Sequence, residues 1–196
     1  SELSTFFIDS SRSNLDEHIP DDAIYLVDGL DGSGKRRDSN YPILAEKAKE
    51  ILHQFKPADL NIVLHSAGGG TGSTLGPILV SELLDRNEPV VVIAIGSRAS
   101  RIETDNTIKT LKSYEMISRK RELPINVHYR ENANSLGRGQ VDGEVQLAVV
   151  ILTAIFSGEN KELDSSDLKN FLNYTRVTSY TPKLSLLDFL LLMQDF

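Results

Sequence analysis

The sequence predicts a parallel α/β sheet flanked by helices. Three observations carry that expectation. Short β-like runs alternate with helical periodicity along most of the chain. Val90-Val91-Val92-Ile93-Ala94-Ile95 is continuously apolar, as a strand covered on both faces is. Between the run Leu60-Asn61-Ile62-Val63-Leu64 and a helical pattern stands Gly68-Gly69-Gly70-Thr71-Gly72-Ser73-Thr74. Strand, glycine turn and helix start, in that order, make a phosphate cradle.

Thr5-Phe6-Phe7-Ile8-Asp9 reads as a strand ended by the turn-favouring residues Ser10-Ser11-Arg12-Ser13-Asn14. Ile24-Tyr25-Leu26-Val27 is a second strand, followed by a loop from Asp28 to Asn40 rich in Gly, Asp, Ser, Lys and Arg. Within that loop Gly29 and Gly34-Lys35 have P-loop spacing, but Arg36 stands where Ser or Thr would meet Mg²⁺, and Arg37 to Pro42 delay the next helix. The expectation is a loop in which Gly32, Ser33, Gly34 and Lys35 approach a nucleotide, with Lys35, Arg36 and Arg37 able to reach a terminal phosphate. Ile43, Leu44, Lys47, Ile51 and Leu52 then recur at helical spacing to Phe55, with Pro42 suited to the first turn and Pro57 closing the helix.

At the glycine turn, residues without Cβ can adopt dihedrals that others avoid and let the backbone approach an anion. The helix starting between Thr71 and Leu75 adds unpaired N–H groups, and Ser73 and Thr74 add hydroxyl donors. Leu75, Ile78, Leu79 and Leu83 form the apolar stripe of this helix, which ends at Asn87 and Pro89.

After the apolar strand, Gly96 to Asn106 reads as a loop and Thr107 to Arg121 as a helix with Leu111, Tyr114 and Ile117 inside. Its Lys109, Lys112, Arg119, Lys120 and Arg121, interrupted by Glu115, make a solvated basic face. Ile125-Asn126-Val127-His128-Tyr129 is a further strand, and the loop Arg130-Glu131-Asn132-Ala133-Asn134 follows it on the side where open α/β sheets bind ligands. Val141 to Phe156 is helical and apolar nearly all round, which predicts burial on most sides. Ser157-Gly158 stops it; an acidic loop from Glu159 to Asp167 and a short helix near Leu168 to Tyr174 come next. The apolar tail from Leu184 to Phe196 suits either a partner helix or part of a second domain. The expected division is a nucleotide-binding domain over 1–157, including the long helix, and a segment over 158–196 with the acidic loop, its helix and part of a further domain.

Composition narrows the function. The chain has 196 residues, no cysteine and a net charge of −7. It is long enough to bury a core without staples and has neither disulfides nor thiolate metal sites. His18, His53, His65 and His128 lack ligand spacing, so no protein-built metal site is expected. Acidity argues against direct nucleic-acid or anionic-lipid partners. No apolar run looks long enough to span a bilayer, and Ser1-Glu2-Leu3-Ser4 has no signal character, so the expected location is the cytoplasm.

These residues resemble the tubulin and FtsZ superfamily, and within it the phage-encoded tubulins. Gly68 to Ser73 matches the family's Gly-Gly-Gly-Thr-Gly-Ser signature, with Thr74 replacing the usual small residue. Glu103-Thr104-Asp105-Asn106 is similar to the family's Glu-x-x-Asn, whose glutamate contacts ribose. Gly29-Leu30 and Glu46-Lys47-Ala48 resemble the segment that senses the γ-phosphate, and Asp142 stands where the family places Asn or Asp against the guanine edge. Glu162-Leu163-Asp164-Ser165-Ser166-Asp167-Leu168 is similar to the catalytic Asn-Leu-Asp-x-x-Asp loop, with Glu162 in the Asn place. The resemblance implies a Rossmann-like GTPase domain whose long central helix leads to a truncated or partly absent C-terminal domain. The family's first glycine loop, which precedes the strand at Thr5, has no counterpart here.

What the resemblance implies is a GTPase that binds GTP or GDP with Mg²⁺ and polymerises with copies of itself, in phage relatives positioning DNA or replication bodies in the infected bacterium. Gly68 to Thr74, Gly32 to Lys35, Glu103, Asn106, Asn132 and Asp142 would hold the nucleotide, and Asp164 and Asp167 would be catalytic. A helix rises about 1.5 Å per residue, so Val141 to Phe156 spans on the order of 24 Å. Given the family's roles for them, Asp142 and Asp164 cannot serve one nucleotide, and the acidic loop would act on a neighbouring subunit's. From spacing alone Asp164 and Asp167 also fit a helix N-cap and capping box, and Asp142 a first-turn acid. Other readings stay open: a non-hydrolysing nucleotide-binding or assembly-regulating fragment, a plasmid-segregation or cell-division homologue, and a dinucleotide oxidoreductase, which lacks G-x-G-x-x-G spacing here.

Overall fold

The computed structural model describes residues 3–28, 37, 41–132, 138–157 and 165–189. In chain order the elements are β1 (Phe7–Asp9), β2 (Ile24–Leu26), α1 (Tyr41–Gln54), β3 (Asn61–Ser66), α2 (Thr71–Asp85), β4 (Val90–Ser97), α3 (Arg101–Arg121), β5 (Ile125–Asn132), α4 (Arg138–Phe156), α5 (Ser165–Leu172) and β6 (Leu184–Leu186). Every strand pairing is parallel. β1 and β2 form one sheet, and β3-β4-β5-β6 form another in that order.

The continuous apolarity of β4 is explained by its two covered faces. Val90, Val92 and Ala94 join Leu44 and Ile51 of α1, Leu79, Val80 and Leu83 of α2, and Tyr114 of α3. Val91 and Ile93, pointing the other way, join Val141, Val145, Ala148 and Leu152 of α4. Alternation of side chains along one strand thus feeds two cores, with α1 to α3 on one face and α4 on the other.

Five expectations change. The inner side of α3 is polar: its buried residues are Asn106, Thr107, Thr110, Tyr114 and Ser118, and Leu111 and Ile117 are half-buried. This helix starts at Arg101 because Ser100 caps it, its hydroxyl accepting from the Glu103 N–H; a Ser-x-x-Glu capping signature falls inside what reads as a loop. α4 is buried along one stripe only, Val141, Val145, Ala148 and Leu152, while Val150 is 63% exposed. By length and composition Gly139–Phe156 is also apolar enough to cross a membrane, contrary to the expectation from sequence, although here its buried stripe packs on the sheet. Finally, Leu184–Leu186, unplaced by sequence, lies parallel to β5 at its start, Ile125 opposite Leu184. The rest of the tail, 190–196, falls outside the described residues.

Candidate functional site

β3, β4 and β5 end together. Ser66 pairs with Ile95, and Ser97 pairs with Asn132, so the glycine turn after Ser66, the cap of α3 after Ser97 and the end of β5 share one edge of the sheet. This carboxyl edge is where ligands bind in open α/β sheets. β5 runs three residues beyond the expected strand end, and Asn132 is therefore held by strand pairing rather than by a loop.

Close approach, not unusual dihedrals, explains the glycines. A Cβ on Gly72 would stand 2.8 Å from the Ser66 carbonyl oxygen, and one on Gly68 would stand 3.1 Å from the Ser97 Cβ; neither residue takes a left-handed φ. The turn lies flat against the strand ends because it has no side chains there. α2 begins at Thr71 with Gly70 as its N-cap, a residue that offers no side-chain cap. A helix N-terminus capped by glycine and backed by residues that cannot carry Cβ has the shape of a backbone cradle for an anion.

The hydroxyls of the turn point elsewhere than sequence reasoning expects. Ser73 Oγ and Thr74 Oγ1 both donate to the Gly70 carbonyl at 3.1 Å, and both residues are buried. Thr71 Oγ1 is 2.9 Å from Ser10 Oγ, which ties the end of β1 to the start of α2.

Behind the turn stands the polar stripe of α3. Asn106 donates to the Gly68 carbonyl at 3.2 Å, and Thr110 Oγ1 lies 3.0 Å from the Ala67 carbonyl. Glu103 accepts from Ser97 Oγ at 3.0 Å, so its carboxylate sits at the rim of the same edge. Thr107 Oγ1 takes the Ser97 N–H at 3.3 Å and donates to the Glu103 carbonyl at 2.9 Å. Thr107 and Thr110 were missed in the sequence; their signal is a stripe of small polar side chains at helical spacing with Asn106 and Tyr114.

One turn below, His65 meets Gly76, where a Cβ would come within 2.7 Å of the imidazole. Its Nδ1 lies 3.1 Å from the Ser66 carbonyl and its Nε2 2.7 Å from the Tyr114 hydroxyl. A carbonyl only accepts, so Nδ1 carries the proton and Tyr114 donates to Nε2. Burial, with Arg37 nearby, lowers the His65 pKa to about 4. The ring is neutral and structural at neutral pH.

Asp142 is exposed near the start of α4, where the neighbouring Glu144 pairs with Arg130 of β5 at 2.6 Å. Asp167 lies at the opposite edge of the sheet. It is exposed in the first turn of α5 and borders a groove with Asn126, Tyr174, Ser185 and Leu186, and Asn126 at the start of β5 anchors α5 by donating to the Leu172 carbonyl at 2.8 Å. In the segment Glu46-Lys47-Ala48, Ala48 is buried in the core and Lys47 pairs with Glu50 at 2.7 Å. Gly32, Ser33, Gly34, Lys35 and Asp164 lie outside the described residues.

No protein-family model matches the chain. Over 170 residues it is 31% identical to a phage tubulin-like protein of Pseudomonas phage PhiPA3, an alignment that covers 87% of this chain and 54% of that protein. The solved protofilament of TubZ from bacteriophage PhiKZ matches with a TM-score of 0.89 and 29% identity, covering 94% of this chain and 60% of the other. The chain belongs to the tubulin/FtsZ superfamily. This tubulin-like chain spans about half the length of the curated relatives it matches. It also matches the phage tubulin PhuZ with GDP at a TM-score of 0.79 and 27% identity, over 82% of this chain and 52% of that one. The parallel sheet with the glycine turn at its carboxyl edge is thus that of a tubulin-like fold.

Proposed function

We propose that this tubulin-like chain is the nucleotide-binding part of a GTPase that stacks head to tail into GTP-dependent filaments, with the hydrolytic site completed between subunits. One observation carries the reading: the glycine turn and Asp167 occupy opposite edges of one sheet. The stretch of β5 from Asn126, beside α5, to Asn132, beside the turn, is roughly 20 Å long. A carboxylate at the far edge cannot reach a phosphate on the turn of its own subunit. Stacking one subunit's α5 edge on the next subunit's turn brings the two together, and such a heterologous contact repeats into a filament. The solved relatives include a protofilament and a GDP form, which supports the same reading.

In this reading the N–H groups at the start of α2 and the turn from Gly68 to Gly72 bind the phosphates, Glu103 meets the ribose, and Asn132 and Asp142 face the base. Asn106 backs the turn. Gly32, Ser33, Gly34 and Lys35 would border the terminal phosphate, and Asp164 and Asp167 of the neighbour would orient the attacking water. Among the described residues no three His, Asp or Glu side chains converge as a metal cage. Mg²⁺ would arrive on the nucleotide and supply charge neutralisation at the phosphates. The filament would work in the cytoplasm of a phage-infected bacterium, positioning DNA or replication bodies.

The test is Asp167→Ala. It should leave GTP binding intact, abolish hydrolysis and yield filaments that fail to disassemble; unchanged turnover contradicts catalysis in trans. A protein that binds nucleotide but sediments in neither GTP nor GDP would instead be an assembly regulator.

A further inference from the structure

Pro77 lies inside α2. Proline has no N–H, so the carbonyl of Ser73, four residues earlier in the first turn, loses its helical donor. Ser73 is fully buried, and a buried carbonyl needs a partner. Thr110 Oγ1 is 3.2 Å away, but it also lies 3.0 Å from the Ala67 carbonyl and 2.8 Å from the Asn106 carbonyl. A hydroxyl has one proton and cannot serve all three.

Arg37 fills the place. Its Nη1 donates to the Ser73 carbonyl at 2.5 Å and to Thr110 Oγ1 at 2.6 Å, and its Nη2 donates to Ser113 Oγ at 2.5 Å. Its own carbonyl lies 3.2 Å from Thr74 Oγ1. Instead of reaching outward to a phosphate, this guanidinium turns inward and joins the first turn of α2 to α3. The fork can serve Ser73, Thr110 and Ser113 together because its donors are planar and fixed; an ammonium cannot.

We propose that Arg37 is the positioning residue of the phosphate cradle: it supplies the donor that Pro77 denies to Ser73 and so fixes the start of α2, the surface on which phosphate binds. The effect on nucleotide affinity rests on the function proposed above; the Arg37–Pro77 dependence does not.

A double-mutant cycle tests it in the intact protein, read by binding of a fluorescent GTP analogue and by melting temperature without nucleotide. Arg37→Ala should weaken binding about tenfold, as expected when a buried carbonyl loses its partner. Pro77→Ala restores a backbone N–H, so in that background Arg37→Ala should cost less than about threefold, a rescue that general loss of packing would not give. Equal losses in both backgrounds overturn the proposal. If Arg37→Ala does not fold, Arg37→Lys replaces it in the same cycle, with the same two outcomes. If the unaltered protein binds no guanine nucleotide, the functional reading fails, and the melting temperatures alone decide: rescue of the Arg37 loss by Pro77→Ala upholds the positioning role, and additive losses overturn it.

Discussion

The Asn106 amide donates to the Gly68 carbonyl at 3.2 Å, from a position that is almost fully buried. The glycine turn is thereby clamped from behind by α3 at the carboxyl edge of the sheet. Asn106→Ala leaves a buried carbonyl short of a donor and should lower stability by about 1–3 kcal/mol. Asn106→Asp should be worse, because it sets a carboxylate against carbonyl oxygens. Thermal melts of the two variants check this order; an Asp variant as stable as the parent would contradict it.

Two glycines should respond in opposite ways to alanine. Gly72→Ala drives a Cβ to 2.8 Å from the Ser66 backbone oxygen, so the turn must shift, and GTP affinity should fall at least tenfold. Gly143, inside α4, has nothing within 4 Å of its Cβ position, and Gly143→Ala should raise stability by about 0.5–1 kcal/mol through helix propensity alone. Nucleotide titration and denaturant unfolding measure the two effects.

His65 should give the fold an acid limb. The folded state keeps its ring neutral down to about pH 4 because burial opposes the charge, against 6.5 for a free ring. Below 6.5 the unfolded chain binds the extra proton, so the contribution of His65 is fully present above pH 6.5 and is lost progressively toward pH 4. The loss is on the order of 3 kcal/mol. His65→Gln should flatten that part of the stability profile in urea unfolding across pH; an unchanged slope would show that other groups set it.

The single buried stripe of α4 has a plain signature. Leu152 is 3% exposed and Val150 63%, so Leu152→Ala should cost about 2–5 kcal/mol and Val150→Ala less than about 0.5. Equal costs in chemical denaturation would mean that α4 is buried all round in solution, as its sequence suggests.

Much of the fold was legible because its signals are local. The apolar run of β4 fixes a strand with two covered faces, and the bounds of α1 follow from Pro42 and Pro57. The site was legible in part: the glycine turn, Glu103 and Asn132 share an edge, as their strand-end positions imply. What sequence missed depends on partners distant along the chain. The period of α4 cannot show which of its apolar faces meets a neighbour. The inner side of α3 escaped because Asn106, Thr107 and Thr110 look like surface residues until the carbonyls of the glycine turn are seen against them. Arg37 looked like a phosphate ligand; only the pairing of Pro77 with Ser73 reveals an acceptor that needs it. For Ser73 and Thr74, hydroxyl chemistry was read correctly but its direction was not, since both bond to Gly70.

The central claim is that hydrolysis needs two subunits, because Asp167 and the glycine turn lie at opposite edges of one sheet. The most direct test is the GTPase rate measured against protein concentration. The account predicts a rate that rises more steeply than linearly until filaments form; a strictly proportional rise, with constant turnover per subunit down to dilute protein, would contradict it.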